Sequence, residues 1–120
     1  MVNSVFLGED SFIYNLYFGD QNSQTVAECS EQIDKLAKEL RKQHKKVLII
    51  VDLTKMGKTH SSARKVGLEV LKNLDFDKLA IFGTDLYTKY LVNLVVLATG
   101  RLDKIQYFSN EEEARDWLKK

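Results

Sequence analysis

Two apolar runs, KVLIIVDL at residues 46–53 and KLAIFG at 78–83, constrain this chain more than any other feature. Neither alternates polar with apolar residues. Both faces of each strand must therefore be covered, which is the condition of a central strand in a parallel sheet and not of a sheet with one wet face. The stretch between them, from Ser61 or Ser62 to about Asn73, sets Ala63, Val66, Gly67, Val70, Leu71 and Leu74 on one side at helical spacing. Strand, helix and strand in that order predict a βαβ crossover.

The alternation continues on both sides. A helix is expected over 23–44, with Val26, Cys29, Ile33, Leu36, Ala37 and Leu40 as its stripe and the cationic RKQHKK at the negative end of its dipole. A third helix is expected over 85–99, a last strand at KIQYFS and a fourth helix from Ser109 to Lys119. Ser109 and Glu112 fit a capping box, Glu111 and Arg115 an i,i+4 pair, and Ala114, Trp117 and Leu118 the apolar anchor. Ahead of these elements, 2–7 and 12–18 flank GEDS as a hairpin. Phe12, Tyr14, Leu16 and Phe18 share one face of its second strand, and Ile13, Asn15 and Tyr17 the other. The expected class is α/β, in one domain spanning residues 1–120, with a mostly parallel sheet.

Composition narrows the function. Lys and Arg total 18 against 17 Asp and Glu, so the basic excess that a nucleic-acid binder uses to displace counterions is missing. No apolar window approaches the roughly 20 residues of a membrane span, and the acidic start lacks a signal-peptide pattern. A single cysteine, Cys29, forms no intrachain disulfide and fits a cytoplasmic address. Its place on the first helix's stripe favours packing over reactivity. No His, Cys or Asp cluster has metal-ligand spacing, and no cofactor is expected.

Gly57-Lys58-Thr59 follows an apolar strand and precedes a helix, as the end of a phosphate-binding loop does. Such a loop needs glycine six residues before the lysine, and Asp52 stands there. A carboxylate at that position repels a polyphosphate, and HSS delays the helix start. Nucleotide binding is not expected.

Open α/β sheets place ligands beyond the carboxyl ends of their strands. Here that edge gathers Asp52, Thr54, Lys58, Thr59, His60, Ser61, Ser62, Gly83, Thr84, Asp85 and Tyr87. These make a polar rim, yet no pair among them dictates a reaction, so an enzyme is not expected. On the third helix, Leu86, Tyr87, Tyr90, Leu91, Leu94, Val95, Leu97 and Ala98 fall on one broad arc, read as the core side. Thr88, Val92 and Val96 then form an outward stripe, and a two-fold contact between copies covers it most simply.

The strand LIIVDL, its polar loop, the paired serines, the second crossover at AIFGTD and the closing QYFSNEEEARDWLKK together resemble the SpoIIAA-like branch of STAS-type domains. These are anti-sigma-factor antagonists and their relatives, with a distant likeness to CRAL-TRIO lipid carriers. The resemblance implies a superhelix of βα turns with five strands and four helices, the first strand antiparallel and the helices mostly on one side. It also implies a cytoplasmic regulatory or binding module. In antagonists a phosphorylatable serine opens the helix after the Asp-bearing strand. Ser61 or Ser62 is the nearest match, but His60 precedes them where the antagonists have Asp, and Ala63 follows where they have Gly. Either serine also serves as a plain helix cap. Two roles stand side by side: a module that docks a protein partner or its own copy, and a carrier of a small hydrophobic ligand at the strand-end edge. A contiguous exposed apolar surface favours the first, and an internal apolar cavity between the second and third helices favours the second.

Overall fold

Five strands lie side by side in the order in which the chain makes them. The structure, a computed structural model, describes residues 2–120. Its elements are β1 (Ser4–Leu7), β2 (Ile13–Gln21), α1 (Ser23–Lys42), β3 (Leu48–Thr59), α2 (Ser61–Asn73), β4 (Lys78–Phe82), α3 (Leu86–Thr99), β5 (Ile105–Phe108) and α4 (Glu111–Lys119). The hairpin makes β1 antiparallel to β2, and every later pairing is parallel.

This sequential order fixes where the helices go. Three successive right-handed crossovers stepping in one direction must all lie on the same face. Accordingly Ile33, Ala37 and Leu40 of α1, Leu71 of α2 and Val96 of α3 meet Ile13, Ile49, Val51, Leu79, Ile81 and Ile105 on one side of the sheet. Helix α4 folds onto the other side, where Ala114 and Leu118 cover Phe12, Ile50, Ala80 and Phe82. The two apolar strands are thus covered twice over, as their composition requires.

Polar ties fix the layers. Arg41, at the end of α1, donates to Asp75 at 3.0 Å and to Asp77 at 2.9 Å, and Asp77 also accepts the Val47 amide at 2.8 Å. Arg101 donates to the carbonyls of Leu71 and Leu74, which α2 leaves open at its C-terminus, and its guanidinium lies 4.3 Å from the Phe76 ring centre. On the other face Arg115 binds the Tyr14 hydroxyl and pairs with Asp10 at 3.0 Å, joining α4 to the hairpin. The Glu111–Arg115 pair also forms, at 3.8 Å.

Several local expectations change. Helix α4 is capped by Asn110, whose side chain accepts the Glu113 amide and donates to its carboxylate, so the Ser109–Glu112 box is displaced by one residue. Asn accepts from the N3 amide as well as Ser does, and here it occupies the extended residue before the first turn. Trp117 is only half-buried, stacked beside Phe108 under the Lys78 ammonium; Ala114 and Leu118 are the buried anchors.

Helix α3 lies the other way up from its expected phase. Val96 is 4% exposed, and Val92 also packs into the core. Leu86, Tyr87, Tyr90, Leu94 and Leu97, assigned to the core by periodicity, are 82%, 67%, 62%, 48% and 63% exposed. Val96 therefore cannot make the dimer contact expected of the Thr88, Val92 and Val96 stripe. The helix is apolar nearly all round, so periodicity alone leaves its rotation open. Asp85 caps its first turn through Thr88, and Arg101, just past its end, reaches across to α2.

Candidate functional site

The segment expected as a polar loop after the strand 46–53 is instead, through Thr59, the outer half of a long strand. Beyond the sheet proper, β3 keeps pairing with β2 as a two-stranded ribbon, Phe18 opposite Lys55 and Gln21 opposite Thr59, with register shifts on the way. The extra β2 backbone needs partners. Buried Gln21 provides them, donating to the Phe18 and Gly19 carbonyls at 3.0 Å each, while Asn3 accepts the Phe18 amide. Gly57 has its own reason. The Asp20 carboxylate reaches across to accept the Lys58 amide at 2.7 Å, and a Cβ on residue 57 would lie 2.3 Å from that oxygen. The glycine of Gly-Lys-Thr admits a neighbouring side chain, and the Lys58 amide is spent inside the ribbon.

This ribbon forms one wall of a cavity of about 660 Å³ on the face that carries α1, α2 and α3. The floor is Val51, Leu53, Leu79 and Ile81; α1 contributes Val26 and Ile33, α2 contributes Ala63, Gly67, Val70 and Leu71, and α3 contributes Thr88, Leu91, Val92 and Val95. The sequence explains why side chains leave this volume empty. The inward positions of the first half of α2 are Ala63 and Gly67, and a Cβ built on Gly67 meets nothing within 4 Å. The inward positions of α3 are Thr88, Leu91, Val92 and Val95, only one of them a long side chain, while Leu86, Tyr90, Leu94 and Leu97 face out. A volume of this size and lining is typical of small-molecule sites, which span roughly 300–1,000 Å³.

The exposed lining residues Gly57, Lys58, Thr84, Asp85 and Tyr87 mark the mouth, at the carboxyl ends of β3 and β4 and beside the first turns of α2 and α3. Of the residues expected at this edge, Thr54, Lys58, Thr59, Thr84, Asp85 and Tyr87 therefore come together. Asp52 does not join them. It alternates with Leu53 onto the α4 face, holds the Thr54 amide and hydroxyl, and lines a smaller cleft of about 190 Å³ with Phe6, Tyr14 and Glu111. Ser61 and Ser62 are exposed in the first turn of α2 and do not line the cavity. Neither caps the helix, because His60 occupies the cap position in extended conformation without a side-chain bond.

The electrostatics differ between mouth and depth. Lys58, Arg64 and Asp85 carry the formal charges of the lining. Hydrogen bonds from the Thr88 hydroxyl and amide hold the Asp85 carboxyl below its usual value. Deeper in, Asn15, Tyr17 and Gln21 make a polar patch that sequence reasoning did not single out. Burial pushes the Tyr17 phenol far above its usual value, and the adjoining Cys29 sulfur adds to this; burial likewise raises the Cys29 thiol. Both stay protonated and act as hydrogen-bonding, packed groups. Behind the mouth, the Tyr107 hydroxyl is buried without a partner among the described residues. It lies under Gly83, where a Cβ would stand 2.7 Å from it.

The sequence matches the SpoIIAA-like family over residues 17–119. The chain belongs to that family. No curated protein matches it in sequence. Among solved structures, this SpoIIAA-like protein is similar to an uncharacterized protein of the DUF3478 family, with a SpoIIAA-like fold, from Shewanella loihica PV-4. That likeness has a TM-score of 0.63 at 18% identity over 98% of this chain and 92% of the other. It is also similar to the anti-sigma factor antagonist SpoIIAA in its unphosphorylated form, with a TM-score of 0.65 at 11% identity over 98% of each chain. At such identities the likeness is one of fold, and the five-stranded sheet with its antiparallel first strand and four helices agrees with it. No helix among the described residues is long and apolar enough to cross a membrane.

Proposed function

We propose that this protein is a non-catalytic, cytoplasmic regulatory module of the STAS type that binds one small apolar molecule between its sheet and the α2–α3 pair. The cavity carries this reading. An apolar volume of about 660 Å³ left open by Ala63, Gly67 and inward valines forfeits packing that a purely structural domain of this size would use. Ser61 and Ser62, exposed beside the mouth, are the positions a phosphoswitch would use, since a phosphate there faces the positive end of α2.

Native mass spectrometry of the purified protein, followed by thermal shifts with neutral alkyl probes, tests the reading. A single retained small molecule, or a saturable one-to-one rise in melting temperature, is expected. A protein that retains nothing and that no apolar probe stabilises would refute it.

A second reading rests on the exposed α3 face of Leu86, Tyr87, Tyr90, Leu94 and Leu97. Clustered exposed apolar side chains of this kind mark contact surfaces, so α3 also serves as the docking face for a protein partner or a second copy. Light scattering of wild type and Leu97→Glu tests it. Association that the substitution abolishes supports the reading, and a monomeric wild type with no captured partner removes it.

A further inference from the structure

The mouth of the cavity is charged on one lip in a way that its apolar interior does not explain. Arg64, in the first turn of α2, is half-buried at the wall, where its guanidinium donates through Nη1 to the Thr59 carbonyl at 2.9 Å and reaches the Thr59 hydroxyl at 3.4 Å. Its Nε and Nη2 donors have no hydrogen-bond partner among the described residues, and neither the Arg64 guanidinium nor the Lys58 ammonium forms an ion pair among them, the Asp20 carboxylate being held by the Lys58 backbone amide. Arginine is almost never fully buried without a partner, and at this half-buried wall Nε and Nη2 are left for water or a ligand. Here the free edge of the guanidinium fork is the part that binds a planar two-oxygen anion. Asp85, on the opposite lip, already accepts from the Thr88 amide and hydroxyl. Lys58 and Arg64 against Asp85 leave the lining with one net positive charge.

We propose that the ligand is an amphiphile with a single carboxylate, its apolar body in the cavity and its head between Arg64 and Lys58. The geometry sets its direction. Leu53, Val70 and Val92 contact the body, while Asp85 repels the head from the α3 lip, so the carboxylate settles at the α2 lip. This inference rests on the cavity being a ligand site, and it adds the chemical class of the ligand and its orientation.

Calorimetric titration of the full chain with dodecanoate, dodecanol and dodecylamine, each below its micelle-forming concentration, separates the claims. Dodecanoate is expected to bind roughly ten- to a hundredfold tighter than dodecanol, the range of one charge-assisted hydrogen-bond pair, and dodecylamine weakest. Arg64→Gln and Lys58→Gln should each weaken dodecanoate and leave dodecanol unchanged. Lys58→Gln alters an exposed side chain, so it keeps the test open should Arg64→Gln loosen the start of α2. Equal affinity for dodecanoate and dodecanol, or no response of dodecanoate to either variant, overturns the head-group assignment while the cavity stands. A preference for dodecylamine overturns it as well. If none of the three probes binds, the cavity reading and this inference fall together.

Discussion

Gly67 is the position at which the account can be tested with one methyl group. It lies mid-way along α2, on the side that roofs the cavity, and a Cβ there has open space on all sides within 4 Å. Gly67→Ala therefore gains no packing and suffers no clash, which leaves only the backbone term. Glycine in a helix interior is about 0.8–1.0 kcal/mol less favourable than alanine. For 120 residues the unfolding entropy corresponds to about 4 °C in melting temperature per kcal/mol, so Gly67→Ala should melt about 3–4 °C higher. Differential scanning calorimetry resolves such a shift. Gly67→Leu should also fold, since its side chain enters empty volume, but it should lose binding of any ligand that occupies the cavity. A lowered melting temperature for Gly67→Ala would mean that α2 packs closely at this point, and the cavity would be refuted with it.

Other substitutions test other parts of the account. Arg101→Met removes the caps on the Leu71 and Leu74 carbonyls and the stacking on Phe76, and should cost about 2–3 kcal/mol by urea denaturation. Val96→Glu buries a charge against the sheet and should abolish soluble folded protein, whereas Leu97→Glu, one residue on and exposed, should fold normally by circular dichroism. Trp117→Ala should cost about 2–3 kcal/mol, less than a fully buried tryptophan, because the ring lies at the rim of the α4 core. Burial and the hydrogen bond to Asp10 push the Tyr14 phenol up to about 12, so the neutral form is favoured in the folded state. The stability this supplies is complete below the ordinary value of 10.0 and is lost as pH rises through about 12. Tyr14→Phe should lack that part of the alkaline loss when stability is followed against pH in urea.

The fold was legible because its strongest signals are local and redundant. LIIVD and LAIF admit only a doubly covered strand, the α1 stripe from Val26 to Leu40 admits one phase, and sequential crossovers then allow little choice of topology. The ends of elements were less so. Asn110 and Ser109 are equally good caps in sequence, and only the emergence of the chain from β5 selects Asn110. Helix α3 failed for a different reason. An arc holding Leu, Tyr and Leu and an arc holding Thr, Val and Val differ in bulk far more than in polarity, and the outcome depends on the space that α2 leaves. The edge residues were half legible. Alternation along the strand 46–53 already sets Asp52 on the face opposite Val51 and Leu53, but the extension of that strand through Thr59 had no signal in the polar sequence that follows. The cavity had one trace in the sequence, Ala63 and Gly67 a helical turn apart on the core side of α2. Small residues there read as close packing as readily as an opening.

The most direct measurement is methyl NMR of the protein during titration with dodecanol, which has the apolar body without the charge. Saturable one-to-one shifts are expected on Leu53, Val70, Leu71, Val92 and Val95, which line the cavity, with Leu94 and Leu97 on the outer face of α3 unmoved. Shifts confined to Leu94 and Leu97, or no saturable shifts at all, would contradict a ligand site in the cavity.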